Sequence, residues 1–338
     1  MKHRFRRRIF RIAALFAAPL LAHSQLIGNR MVSDLNPGSS GSYPTNLAAF
    51  STNLCFSAST PGLGRELWRW NGSVVSLISN INDTVTALGG GVFVGNDSSP
   101  RELTIFSNTL CFTAFDPYRG GELWRYDGTN TWRVADISPD SDDVVKTNPN
   151  SSWPNGFVTL GNDLFFSANG GTSKLNYELW KYNGIAVSQV ANIHPDSGSD
   201  FSSYPTGMTP FKGALYFMAD DGSNGYELWR SLGTNATLVA NINPGGGSSY
   251  PQHFTPWNNH LYFQAYTAAS GYELWQTDGT NASQVADLNP GTNGSYPEGL
   301  TVFQNAIYFQ ATDGANGYEL WKFNGSSFVL VANINPSG

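Results

Sequence analysis

The side chains with most chemical potential in this sequence recur at matched places. Six glutamates, Glu66, Glu122, Glu178, Glu227, Glu273 and Glu319, each stand two residues before a tryptophan: Trp68, Trp124, Trp180, Trp229, Trp275 and Trp321. Such carboxylates could form a cation-binding ring, or each could accept backbone N–H groups of its own or a neighbouring unit. A buried charge has to be paired, and a feature present in every copy suits architecture better than a unique active site. A second set places an aromatic before a proline, at Tyr43, Trp153, Tyr204, Tyr250 and Tyr296. Those rings could stack on sugars or grip a protein partner, or each could anchor its own loop while the proline starts the next strand.

A third set, runs such as Asp287-Leu288-Asn289-Pro290, gathers oxygen atoms in loops. It lacks the D-x-D-x-D-G register and closing glutamate of a calcium loop, and ordinary Asx-turn chemistry accounts for it as well. No cofactor is therefore predicted, with calcium at these loops as the remaining option. Catalytic signatures are missing from the sequence: there is no G-x-S-x-G, H-E-x-x-H or Cys-x-x-Cys. His194, His253 and His260 fall at different repeat positions, so no metal spacing emerges.

The elements that must position these groups repeat with them. The glutamates lie 56, 56, 49, 46 and 46 residues apart. In the fifth copy, His253 to Trp257, Leu261 to Ala265, Tyr272 to Trp275 and Ser283 to Leu288 read as four strands. Asn71-Gly72, Asp127-Gly128, Asn183-Gly184, Asp278-Gly279 and Asn324-Gly325 read as type I′ hairpin turns. Four short antiparallel strands per unit of this length match a propeller blade, and a ring protects the edges that separate small sheets would expose. The predicted fold is all-β, a β-propeller of six four-stranded blades. Its repeats fall near 36–82, 83–138, 139–194, 195–243, 244–289 and 290–338, within a single domain at 25–338. One count resists this scheme: the strand-ending motif occurs seven times, from Asp34-Leu35-Asn36 to Asn333-Ile334-Asn335. The stretch GGGVFVGNDSSPRE ending at Glu102 reads as an insertion, the place for any function private to one blade.

Residues 1–24 set six Lys and Arg before a short apolar run and contain no acidic residue. This is the pattern of a cleaved signal peptide, predicting a secreted, extracellular or periplasmic product. Arg7-Arg8-Ile9-Phe10 also fits the core of a twin-arginine signal, although Arg6 precedes the pair. No apolar run reaches the roughly 20 residues that a membrane span needs. Removing that segment leaves 19 − 6 = 13 basic against 25 acidic residues, a net charge of −12, which argues against a nucleic-acid partner. Cys55 and Cys111 occupy equivalent places in neighbouring repeats, too far apart for a bridge, so two free packed thiols are expected.

At Gly271-Tyr272-Glu273-Leu274-Trp275 and Asp278-Gly279-Thr280 the chain resembles the bacterial ELWxxDGT repeat family. That resemblance implies an exported, propeller-like array, often a module of larger surface proteins, and supplies no catalytic residues. A weaker similarity, at Asp313-Gly314 through Trp321, runs to the quinoprotein propeller repeat. The resulting functional expectation is an exported non-catalytic binding or scaffold module for an unidentified protein or glycan. The alternative is an exported carbohydrate-active or quinone-dependent enzyme with a site in the channel.

Overall fold

A computed structural model describes residues 31–89, 92–139, 149–171, 175–195 and 202–336; the segment read from sequence as a signal peptide, residues 1–24, lies outside them. Among the described residues all regular structure is β, and no helix is long and apolar enough to cross a membrane. Six antiparallel sheets have four strands each, paired in chain order, and a two-stranded hairpin, Val85–Gly89 with Val92–Gly95, stands between the first and second.

The arrangement is that of a β-propeller. The innermost strands are Thr45–Phe50, Arg101–Phe106, Asn155–Leu160, Thr206–Phe211, Gln252–Trp257 and Glu298–Phe303. Each lies against the next, and no comparable contact joins the last back to the first. The Glu-Leu-Trp runs form third strands, where alternation sends Leu to one face and Trp to the other. Consequently the leucine of one blade meets the tryptophan of the next: Leu67 with Trp124, Leu123 with Trp180, Leu179 with Trp229, Leu228 with Trp275, and Leu274 with Trp321. Phe112, Phe166, Phe217, Phe263 and Phe309 of the second strands fill the same layers. Among the described residues the hydrophobic core is thus five interlayers between consecutive blades and a sixth, smaller cluster of Phe56, Ala58 and Trp68 on blade one, rather than one central mass.

Two local expectations are corrected. The Asn-Gly and Asp-Gly turns are not type I′, because only their glycines have positive φ, as at Gly72 (95°). The Asx residue instead caps the turn: Asn71 Oδ1 accepts the N–H groups of Ser73 and Val74, and Asp127 Oδ1 those of Thr129 and Asn130. Paired positive φ angles occur in the first hairpin, at Ser107-Asn108, Asn258-Asn259 and Gln304-Asn305. The insertion in repeat two is also smaller than the sequence suggested. Only the extra hairpin is added, since Ser98, Ser99, Pro100 and Glu102 take up regular positions of the repeat, described below.

Candidate functional site

Three sets of side chains could carry function: the glutamates at the blade junctions, the aromatic rim and the channel wall.

The glutamates are junction latches. Glu66, Glu122, Glu178, Glu227 and Glu273 are fully buried. Glu178 Oε2 accepts Ile193 N–H at 2.8 Å and the Ser203 hydroxyl at 2.6 Å, while Oε1 accepts His194 N–H at 3.2 Å. Ile193 ends the glutamate's own blade, and Ser203 begins the next. The pattern recurs with Ser98 on Glu66, Ser152 on Glu122, Ser249 on Glu227 and Ser295 on Glu273. Burial pushes the carboxyl groups of Glu66, Glu122 and Glu178 up to about 7, against the serine and backbone hydrogen bonds that favour the ionised form. Glu227 and Glu273 are raised for the same reason. Every donor on these carboxylates is a structural one, leaving no face for a substrate. The six tryptophan indole N–H groups are buried with no protein hydrogen-bond partner among the described residues, so the rings act through packing.

The residues before the prolines make the second set. Tyr43, Trp153, Tyr204, Tyr250 and Tyr296 all have φ between 42° and 50°, as does Ser99, which replaces the aromatic in the second blade. Positive φ is an outlier for a bulky residue. At all but Tyr43 it is held because the N–H turns back to the preceding blade, as from Tyr204 to Tyr177 O, Tyr250 to Tyr226 O and Tyr296 to Tyr272 O. Each ring then lies beside that same tyrosine, with centroids 5.4 Å apart for Tyr177–Tyr204, 5.7 Å for Tyr226–Tyr250 and 5.4 Å for Tyr272–Tyr296. Where the partner position is Gly121, the larger Trp153 fills in. A Cβ on that glycine would sit 2.3 Å from the indole, which stacks on Phe115 and carries Arg101 over its face at 4.4 Å.

Tyr250 and Tyr296 remain 43% and 37% exposed. The first pair and the second flank a depression of about 490 Å³ that also presents Asn155, Ser167, Thr206 and Met218. The partner tyrosines, one residue before each Glu-Leu-Trp, were not singled out from sequence. Their recurrence as Tyr-Glu-Leu-Trp in the last four repeats was the available signal.

The channel holds the third set. In every blade the innermost strand slips register after its first residue, as between Thr45 and Ala48. The second residue of the strand takes positive φ: Asn46, Glu102, Gly156, Gly207, His253 and Gly299. Five of these bulges, all but Asn46, line a depression of about 580 Å³. Three are glycine, to which this conformation is natural. Glu102 and His253 are the ionisable exceptions, and Glu102 Oε2 accepts Gly156 N–H at 3.0 Å.

The Asx-rich loops close on themselves. The side-chain amides of Asn36, Asn243 and Asn289 donate to the carbonyls of Gly41, Ser248 and Gly294. Among the described residues no three His, Cys, Asp or Glu side chains gather into a metal-binding group. Cys55 and Cys111 are free and buried, and burial pushes both thiols up to about 11.

No family model matches the chain, and no curated protein matches it in sequence. Solved structures do resemble it. A prolyl endopeptidase structure is 12% identical with a TM-score of 0.48 over 85% of this chain and 41% of its own, so this chain spans less than half of that enzyme. The computationally designed Ika8 protein is 15% identical, TM-score 0.39, over 88% and 89% of the two chains. The β-propeller domain of the Trilobed protease from Pyrococcus furiosus, described as having an open velcro topology, is 8% identical, TM-score 0.36, over 87% and 96%. At these identities the likeness concerns fold alone.

Proposed function

We propose that this chain is an exported, non-catalytic propeller that binds a glycan or protein partner along its aromatic rim. The observation that carries the reading is the row of half-exposed tyrosine pairs around the depression between Tyr177–Tyr204 and Tyr226–Tyr250. Flat rings beside short hydroxyl and amide side chains supply the stacking faces and directional bonds that a sugar ring uses, and their conformation is fixed before any ligand arrives. Export rests on the N-terminal sequence and on the resemblance of residues 271–280 to the ELWxxDGT repeats. Screening the protein against a glycan array and a panel of surface-protein extracts, with Tyr204→Ala and Tyr250→Ala as controls, tests this. Binding that both substitutions abolish is the supporting result, and binding indifferent to both would refute the rim as the site.

A second reading, a channel enzyme, is favoured by one observation. Glu102 and His253 occupy strained bulge positions where glycine serves elsewhere, and both line the channel depression. Hydrolase turnover lost on Glu102→Gln or His253→Ala would displace the binding reading.

A further inference from the structure

The five junctions between consecutive blades share four features: a buried leucine from Glu-Leu-Trp, a strand-ending Ile or Leu packed into the next interlayer, a serine hydroxyl on the glutamate, and a following Ser-X-Pro segment whose backbone N–H turns back to the earlier blade. Blade six has the near half of each and the far half of none. Leu320 is 37% exposed, whereas Leu67, Leu123, Leu179 and Leu228 are fully buried. Phe303 is 57% exposed, although its equivalents Phe50, Phe106, Phe211 and Trp257 are buried. Ile334 is 75% exposed, and Val329 and Val331 continue the same bare face. Glu319 accepts the N–H groups of Ile334 and Asn335 but has no hydroxyl donor among the described residues. This is an apolar sheet face of the kind that monomers seldom leave open.

Blade one does not cover it. Ser42 O accepts Ser59 N–H just as Ser98 O accepts Phe115 N–H, which places Ser42 in register with the latch serines. The place before blade one is nevertheless already taken. Leu35, from the surplus strand-ending motif, packs on Phe56, Ala58 and Trp68, as Ile81 packs on Phe112 and Ala114 at the next junction. One junction seats one strand end, so Leu35 and Ile334 belong to different blades. The seven motifs are six complete blades and the tail of a seventh position.

We propose that the outer face of blade six docks one further blade of the same repeat, contributed by a partner polypeptide. The partner is recognised by a Ser-aromatic-Pro segment. Its serine hydroxyl donates to Glu319, its aromatic ring lies against Tyr318, and the strands that follow bring a Phe/Trp pair, like Phe309 and Trp321, onto Leu320, Phe303 and Ile334. The repeat itself argues for this occupant, because five copies of the junction show what each of those side chains is built to meet.

The probe is a polypeptide with the sequence of residues 290–332, which carries Ser295-Tyr296-Pro297. Titrated into the full chain by calorimetry, it should bind saturably at one per chain. Leu320→Asp in the chain should abolish binding, and Ser295→Ala in the probe alone should weaken it about tenfold or more, the loss of one hydrogen bond to a charged group. As a second arm, the probe fused to the end of the chain through a glycine-serine linker should protect a Leu320→Cys thiol from alkylation, and the Ser295→Ala fusion should protect it less. Failure of the probe to bind together with failure of the fusion to protect would overturn the proposal. So would sedimentation as a dimer that Leu320→Asp disperses, because the occupant would then be a second copy. A disulfide formed within one chain between Leu47→Cys and Leu320→Cys would do the same, by showing that blade one closes the ring.

Discussion

Lowering the pH from 8 to 5 should stabilise this protein, contrary to the usual behaviour of proteins rich in carboxylates. Burial raises the Glu178 carboxyl from 4.5 to about 7, so the folded state holds the proton more tightly than the unfolded chain does. As pH rises past 4.5 the unfolded chain ionises first, and stability is lost progressively until the folded group ionises near 7. A difference of that size corresponds to roughly 3 kcal/mol at each such glutamate. The site accommodates both forms, because the Ser203 hydroxyl lies 2.6 Å from Glu178 Oε2 and 3.2 Å from Tyr177 O. When the carboxyl is ionised the hydroxyl donates to it. When the carboxyl is protonated it can donate to Ser203 Oγ, whose own hydrogen turns to the carbonyl. Urea unfolding at pH 5, 6, 7 and 8 measures the effect directly. Glu178→Gln should shrink the difference between pH 5 and pH 8 by about 1–3 kcal/mol. Stability that is flat or rises from pH 5 to 8, or a Glu178→Gln protein with undiminished pH dependence, would show that the hydrogen bonds outweigh desolvation.

Leu228→Ala should cost about 2–5 kcal/mol and Leu320→Ala less than about 1, although both leucines occupy the same repeat position; equilibrium unfolding of the two variants compares a closed junction with an open one. Trp229→Phe loses packing but no hydrogen bond, so its cost in the same assay should stay near 1 kcal/mol, against about 3–5 for Trp229→Ala. Cys55 and Cys111 should be silent to a thiol reagent at pH 8 in the folded protein and should both react in denaturant.

Periodicity made the architecture legible. The Glu-Leu-Trp runs gave the strand, its alternation and the blade count, because a strand buried on both faces admits few substitutions at those three positions. Partners that belong to different repeats were harder to see. Nothing in Glu178 names Ser203 as its hydroxyl donor, and nothing in Tyr250 names Tyr226, since each contact depends on how one sheet stacks on the next. The turn type was misjudged at Asn71 because Asn-Gly satisfies two geometries, and the asparagine's own oxygen chose between them. The channel bulges escaped notice for another reason. At Asn46, Glu102 and His253 the strained residue is not the glycine that usually marks such a site, so only the backbone reveals that three glycines and three polar residues occupy one position.

The latch spans the boundary between repeats, tying the end of one blade and the start of the next to a single carboxylate. Loss or duplication of one full unit anywhere in the array therefore rejoins a glutamate to an equivalent serine and a leucine to an equivalent tryptophan, leaving no broken junction inside. Copy number can drift by unequal recombination at little structural cost, and only the two ends record the change. On this view blade six and the Leu35 segment are the places where the history of the gene is written in the fold, and close relatives should differ from this chain in whole units sooner than in the residues of any one junction.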